Sequence, residues 1–155
     1  MLRDVTASDS FTLFVRDCEA DLRRALTAGF GYEVGREAVA EALVYGWEHW
    51  DRIQGLENPP GYLFRVGQRK AGRMATRSFD LGPEVAVSGE SWFEPGFATV
   101  WGSLSARQRV VVGLLHAFDW SLGEVAELLG VSRSSVRSYE QRGLKKLRRE
   151  LGVEL

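Results

Sequence analysis

Residues 120–147 read WSLGEVAELLGVSRSSVRSYEQRGLKKL, and the chain is best parsed outward from there. An apolar-periodic run ending at Leu129 is cut by Gly130-Val131-Ser132 and resumes in a segment with five Lys and Arg before Leu147. Two helices joined by so short a turn must cross rather than stack end to end, and the second offers polar and cationic side chains on its free face. That is the shape of a DNA-reading helix-turn-helix. Val125, Ala126, Leu129, Val131, Val136 and Leu144 must pack to fix the crossing angle, with Gly130 as the left-handed turn residue and Ser132 as the cap of the second helix. On that helix Arg133, Ser134, Arg137, Ser138 and Gln141 lie where a helix in the major groove meets base edges. Arg142, Lys145, Lys146, Arg148 and Arg149 suit the sugar-phosphate backbone. A tri-helical unit of this kind also serves protein contacts, which leaves a packing domain with a basic surface as the bland alternative.

The formal net charge of −1 hides a segregation of sign along the chain. Lys and Arg against Asp and Glu number 6 to 11 over residues 1–61, 5 to 0 over 62–77, 0 to 4 over 78–102 and 9 to 6 over 103–155. Within the last block, residues 131–149 hold 7 against 1, so the positive charge sits on the second helix of the motif. The other cationic block is a candidate second contact with a polyanion, and the acid between the two limits indiscriminate binding.

The rest of the pattern is helical. Phe11, Phe14, Val15, Cys18, Leu22, Ala25 and Leu26 form one apolar stripe over 10–28, ended by Gly29-Phe30-Gly31, and residues 34–53 repeat the spacing through Val39, Ala42, Leu43, Gly46, Trp47 and Trp50. GFGYEVG is not a dinucleotide loop, because the third glycine is misplaced and no strand precedes it. Asn58-Pro59 should cap and open a helix to about Arg77. Leu63, Val66, Gly67, Ala71 and Met74 form its apolar side, and Arg65, Arg69, Arg73 and Arg77 recur every four residues opposite. Residues 78–95, rich in Gly, Pro, Ser and acid, read as a linker. Helix formation restarts at Phe97–Trp101, and Ser105-x-x-Gln108 and Ser121-x-x-Glu124 both have capping-box spacing. No strand is expected. The fold class is all-α, with small helical domains at 1–77 and 96–155 and the second a helix-turn-helix.

Several classes fall away. With 155 residues and 45% hydrophobic content the chain can bury one ordinary core or two small ones, but it has no apolar run of about 20 residues to span a bilayer and no signal-peptide pattern, so a cytoplasmic location is expected. Cys18 alone cannot make an internal disulfide, and His49 and His116 form no cluster at metal-ligand spacing. Both histidines read as tolerated packing residues. With no phosphate loop, paired catalytic carboxylates or nucleophile near a histidine, neither enzymatic activity, a cofactor nor a small-molecule substrate is expected.

Together the halves resemble the compact two-domain sigma factors of bacterial RNA polymerase, the extracytoplasmic-function type, over nearly the whole chain. LSARQRVVVGLLHAFDWSLGEVAELLGVSRSSVRS looks like that family's promoter −35 domain, in which a Leu-x-x-x-Gln-Arg start precedes a helix-turn-helix. AEALVYGWEHWDRI followed by GYLFRVGQRKAGR is similar to its −10 domain. The resemblance implies promoter DNA and core RNA polymerase as partners, with an anti-sigma factor as a further one. It implies that Arg65, Arg69 and Arg73 track phosphates, that Tyr62 stacks on an unpaired base, unless it is a core aromatic, and that Asn58, in the loop 55–60, borders the pocket for a flipped nucleotide. Glu37, Glu41, Val44 and Trp47 fall where the family meets the polymerase clamp, although Trp47 and Trp50 also suit the core. The linker matches the segment that threads the polymerase channel, where Trp92-Phe93 could anchor it, unless they simply pack on a domain. In the recognition helix the family's arginine-leucine pair is replaced by Tyr139-Glu140, and in the clamp helix an aspartate and glutamine are replaced by Glu37 and Ala40. A DNA-binding regulator that forms no productive holoenzyme is the other function these residues allow.

Overall fold

The computed structural model describes residues 2–79 and 95–152, with side chains described over 6–75 and 96–152. Most of the expected linker, Trp92-Phe93 included, lies outside the described residues. Eight α-helices and no strand occur among the described residues: α1 (Leu2–Phe30), α2 (Tyr32–Glu48), α3 (Trp50–Ile53), α4 (Pro59–Phe79), α5 (Pro95–Ser103), α6 (Ala106–Val112), α7 (Leu122–Leu129) and α8 (Arg133–Leu151). None of these helices is long and apolar enough to cross a membrane.

The first stripe buries Cys18, Leu22, Ala25 and Leu26 on one face of α1. The helix extends beyond the 10–28 expected from periodicity, from Leu2 to Phe30. At Gly31 the chain takes φ 88°, and α2 then turns back along α1. The two backbones nearly touch: a Cβ on Gly35 would lie 2.6 Å from Thr27 Cα. Ala38, Val39, Ala42 and Gly46 continue the buried line of α2. The expected single helix over 34–53 is broken at His49, whose φ of −118° separates α2 from the one-turn α3. That break turns Trp50 and Ile53 into the core, whereas Trp47 stays 49% exposed, its ring 5.3 Å from Phe11.

Cys18 is buried, and burial, reinforced by Asp21, Asp17 and Glu19, pushes its thiol up to about 12. Only the thiolate reacts with disulfide reagents, so native protein at mildly alkaline pH should be modified roughly tenfold or more slowly than chain unfolded in guanidinium. Equal rates would show that α1 does not shield the sulfur.

Asn58 caps α4 as expected, its Oδ1 accepting from the Gly61 amide at 3.1 Å, and Leu63, Phe64, Gly67 and Ala71 face inward. Both predicted capping boxes form. Gln108 and Glu124 donate backbone N–H to Ser105 and Ser121 and accept from the cap amides in return. Each N-cap serine is worth about 1 kcal/mol. The run Val110–Phe118 is not one α-helix: after Val112 it widens into a π turn over Gly113–Ala117, followed by Asp119 at φ 56°. That turn redirects the chain so that α7 can cross the bundle.

The two helical halves do not have separate cores. One buried cluster takes in Leu22, Leu26, Leu63 and Phe64 from the first half and Val110, Val111, Leu114, Val125, Leu129 and Val136 from the second. In it α1 packs on α6 and α4 on α7. A smaller cluster of Leu104, Val112 and Leu147 joins α5, α6 and α8.

Candidate nucleic-acid interface

α7 ends as its sequence dictates. Gly130 adopts φ 68°, the left-handed conformation that spares a residue without Cβ the usual steric cost, and its amide bonds the Glu127 carbonyl. Ser132 then caps α8, accepting from the Ser135 amide at 3.1 Å. Val136, Gly143 and Leu147 are buried on one side of α8. Arg133, Ser134, Arg137, Ser138, Gln141, Arg142 and Lys145 are all exposed. At about 100° per residue these seven occupy one half of the circumference, opposite the buried line, over about 18 Å of helix. The result is an exposed polar ridge carrying four cationic side chains, Arg133, Arg137, Arg142 and Lys145.

Two flanking residues explain how α8 is held. Tyr139 and Glu140 point back toward the domain. The Tyr139 ring lies under Arg107 of α6, 5.6 Å from its guanidinium carbon, and Glu140 Oε2 meets His116 Nε2 at 2.9 Å. They orient the ridge and are not part of it. His116 is 51% exposed and paired, so it is not the packing residue its apolar neighbours suggested; the π turn carries it to the surface. Lys146, expected on phosphate, instead donates to the Ser103 carbonyl at 2.8 Å and closes the end of α5.

The second cationic surface lies along α4, where Arg65, Arg69 and Arg73 are exposed. Tyr62 is half-buried at its edge and packs against the core cluster. Its hydroxyl accepts from Arg52 at 3.2 Å and lies 3.5 Å from the Tyr45 hydroxyl, and Arg52 also donates to Tyr45 at 3.0 Å. The Tyr45 contact and then the Arg52 bond lower the Tyr62 pKa from its ordinary value, against a small opposing effect of burial. An absorbance titration should therefore show a tyrosine that ionises below its ordinary range, and Arg52→Ala should move it upward. A titration unchanged by that substitution would mean that Arg52 does not hold the phenol. Arg52 and Tyr45 were not foreseen. Only their distances of 10 and 17 residues from Tyr62, set by the break at His49, bring them there. His49 itself stacks on Tyr45 with ring centroids 4.1 Å apart, a contact that sequence spacing of four does encode.

On α2, Glu37, Glu41, Val44 and Trp47 share one outward stripe. Val44 is 58% exposed, and Glu41 lies 3.5 Å from Lys70 across a shallow groove between α2 and α4.

Arg109 was not singled out by sequence reasoning beyond its place in the Leu-x-x-x-Gln-Arg start. It donates to the Gly29 carbonyl of α1 at 2.7 Å and to the Gly102 and Leu104 carbonyls of its own half. Burial lowers its pKa from the usual guanidinium range.

Residues 102–149 match the family model described as Sigma-70, region 4. No curated protein sequence matches the chain. Among solved structures the chain resembles the sigma factor RpoE from Bartonella quintana, taken from its co-crystal structure with the anti-sigma factor NepR. The likeness has a TM-score of 0.62 at 20% sequence identity and covers 94% of this chain and 99% of that one. The architecture is thus that of a solved sigma factor, and the helix-turn-helix lies inside the matched region.

Proposed function

We infer that this chain, with a sigma-70 region 4 at residues 102–149 on a sigma-factor fold, is itself a sigma factor of the extracytoplasmic-function type. It binds core RNA polymerase in the cytoplasm and directs promoter-specific initiation, acting by binding alone. Residues 96–155 engage the −35 element through α8, and residues 1–77 engage the −10 element and the polymerase, with 78–95 between them. Asn58, Tyr62, Arg65, Arg69 and Arg73 handle the opened −10 strand, the phenol stacking on a base and the arginines following phosphates. The outward stripe of Glu37, Glu41, Val44 and Trp47 meets the polymerase clamp. An anti-sigma factor belongs to the same reading, since the solved relative is bound to one.

The observation that carries this reading is the exposed seven-residue ridge of α8 within a region 4 match. Run-off transcription with core polymerase and genomic DNA tests it. Start sites that depend on the protein are expected, and their complete absence would sink the reading. Glu37 and Ala40, standing where the family's clamp helix carries an aspartate and a glutamine, favour one alternative, a DNA-binding regulator that forms no productive holoenzyme. Recovery of polymerase subunits in a pull-down dismisses that alternative.

A further inference from the structure

We propose that Arg52 is a positioning residue for the −10 strand: it holds the Tyr62 ring in one orientation, so that an unpaired base meets a stacking surface already in place. The proposal rests on the reading of Tyr62 given above.

Tyr62 alone is poorly suited to that task. A tyrosine near the start of a helix turns about two side-chain bonds, and its ring must be fixed before a base can lie on it. Fixing it only on binding spends interaction energy on lost rotamer freedom. In this chain the ring is fixed beforehand, at its hydroxyl end. One nitrogen of Arg52, Nη2, donates to the Tyr62 hydroxyl at 3.2 Å and to the Tyr45 hydroxyl at 3.0 Å. The guanidinium carbon stands over the Tyr62 ring, 5.5 Å from its centroid. Tyr45 is held in turn. Its ring stacks on that of His49, whose Nδ1 lies 3.0 Å from the Tyr45 carbonyl oxygen. Arg52 itself is carried by α3, which is pinned by the burial of Trp50 and Ile53. The frame around the phenol thus runs from α2 through α3 to α4.

Two observations favour a role in binding over a role in stability. Arg52 is exposed, and bonds from an exposed guanidinium to phenols compete with water, so they contribute little to the fold. Tyr62, Arg65 and Arg69 also stand at i, i+3 and i+7 on α4, which is one face of the helix. The ring that Arg52 holds is therefore the one beside the arginines that follow phosphates. The other use of a guanidinium here is direct contact with a phosphate, and the two uses leave different signatures.

The test measures, by anisotropy, binding of the whole chain to a short labelled single-stranded DNA of mixed sequence and to the same backbone made abasic. The variants are Arg52→Ala, Tyr62→Phe, which keeps the ring and removes its hydroxyl, and the two combined. Each single substitution should weaken binding to the intact strand by about two- to tenfold, the scale of ordering one side chain on binding. The double variant should be no weaker than either, because both changes remove the same anchor. On the abasic strand all four proteins should bind alike, and the salt dependence should keep its slope. A direct phosphate contact gives the opposite set: losses that multiply in the double variant, an equal loss on the abasic strand, and a slope lower by about 0.7 for Arg52→Ala. That set overturns the proposal. So does an Arg52→Ala protein that binds like the wild type, or a wild type that binds neither strand or both equally. Tyr62→Phe carries the same test should Arg52→Ala fail to fold. Failure of the wild type to start transcription, with the strand differences intact, sinks the sigma-factor reading and leaves the anchor standing.

Discussion

Truncation of Leu26 to alanine is expected to cost about 2–5 kcal/mol of stability, the range for removing a fully buried leucine whose surroundings cannot collapse. Leu26 is completely buried, and a Cβ on Gly67 of α4 would lie 2.6 Å from its Cδ1, so nothing can move in to fill the space without shifting a helix. For a chain of this length the melting temperature should fall by about 2–4 °C per kcal/mol lost. The more telling consequence concerns cooperativity. Because the cluster around Leu26 continues into Val110, Leu114 and Val125, both halves should lose stability at the same midpoint. Tryptophan reporters exist on each side, Trp50 in the first half and Trp101 and Trp120 in the second. Denaturation followed through each, in variants retaining one at a time, should give coincident and equally shifted curves. If only the Trp50 curve shifted, the halves would fold independently, and the shared cluster would be a docking contact without energetic weight.

Local chemistry was legible in the sequence, and long-range geometry was not. The caps at Ser105, Ser121 and Ser132 and the left-handed Gly130 depend on residues within four positions of each other, so their reading needed no knowledge of the fold. The buried line of α8 and its exposed ridge follow from helical period alone. The break at His49 was invisible because no Gly or Pro marks it; the reward for breaking the helix is the burial of Trp50 and Ile53, a tertiary quantity. For the same reason Arg52 and Tyr45 could not be placed beside Tyr62. The widening at Gly113 was hidden inside VVVGLL, a run any helix would accept, and it carried His116 to the surface. Reading the halves as separate domains rested on the change in composition after residue 77. That boundary carries no information on whether the helices on either side share a core. Arg109 shows the limit well: its position was conspicuous, but its partner, the Gly29 carbonyl, lies 80 residues away.

On the sigma-factor reading, Arg137→Ala should weaken binding to the preferred −35-type duplex by about 1–3 kcal/mol, roughly five- to 150-fold, and erase selectivity at a single base position. The reasoning turns on where Arg137 stands. It is exposed near the middle of the ridge, one turn from both Arg133 and Gln141, on a helix clamped by Tyr139 and Glu140 on its other side. On that reading its guanidinium would meet a guanine edge with two donors. Arg133 differs. Its guanidinium lies against the first turn of α7, 2.9 Å from where a Cβ on Gly123 would be, so its removal should weaken all sequences more evenly. Arg148, farther along the helix, is placed for phosphate, and Arg148→Ala should lower the salt dependence by about one unit of slope without altering base preference. Arg137→Lys separates charge from shape. Lysine keeps the positive charge and hence the salt slope, but lacks the planar fork that pairs with guanine. Anisotropy measurements on duplexes varied one base at a time, across a salt series, should find the slope retained and selectivity at one position reduced. Retention of full selectivity by the lysine variant would move the base-reading role to another residue of the ridge, with Gln141 next in line.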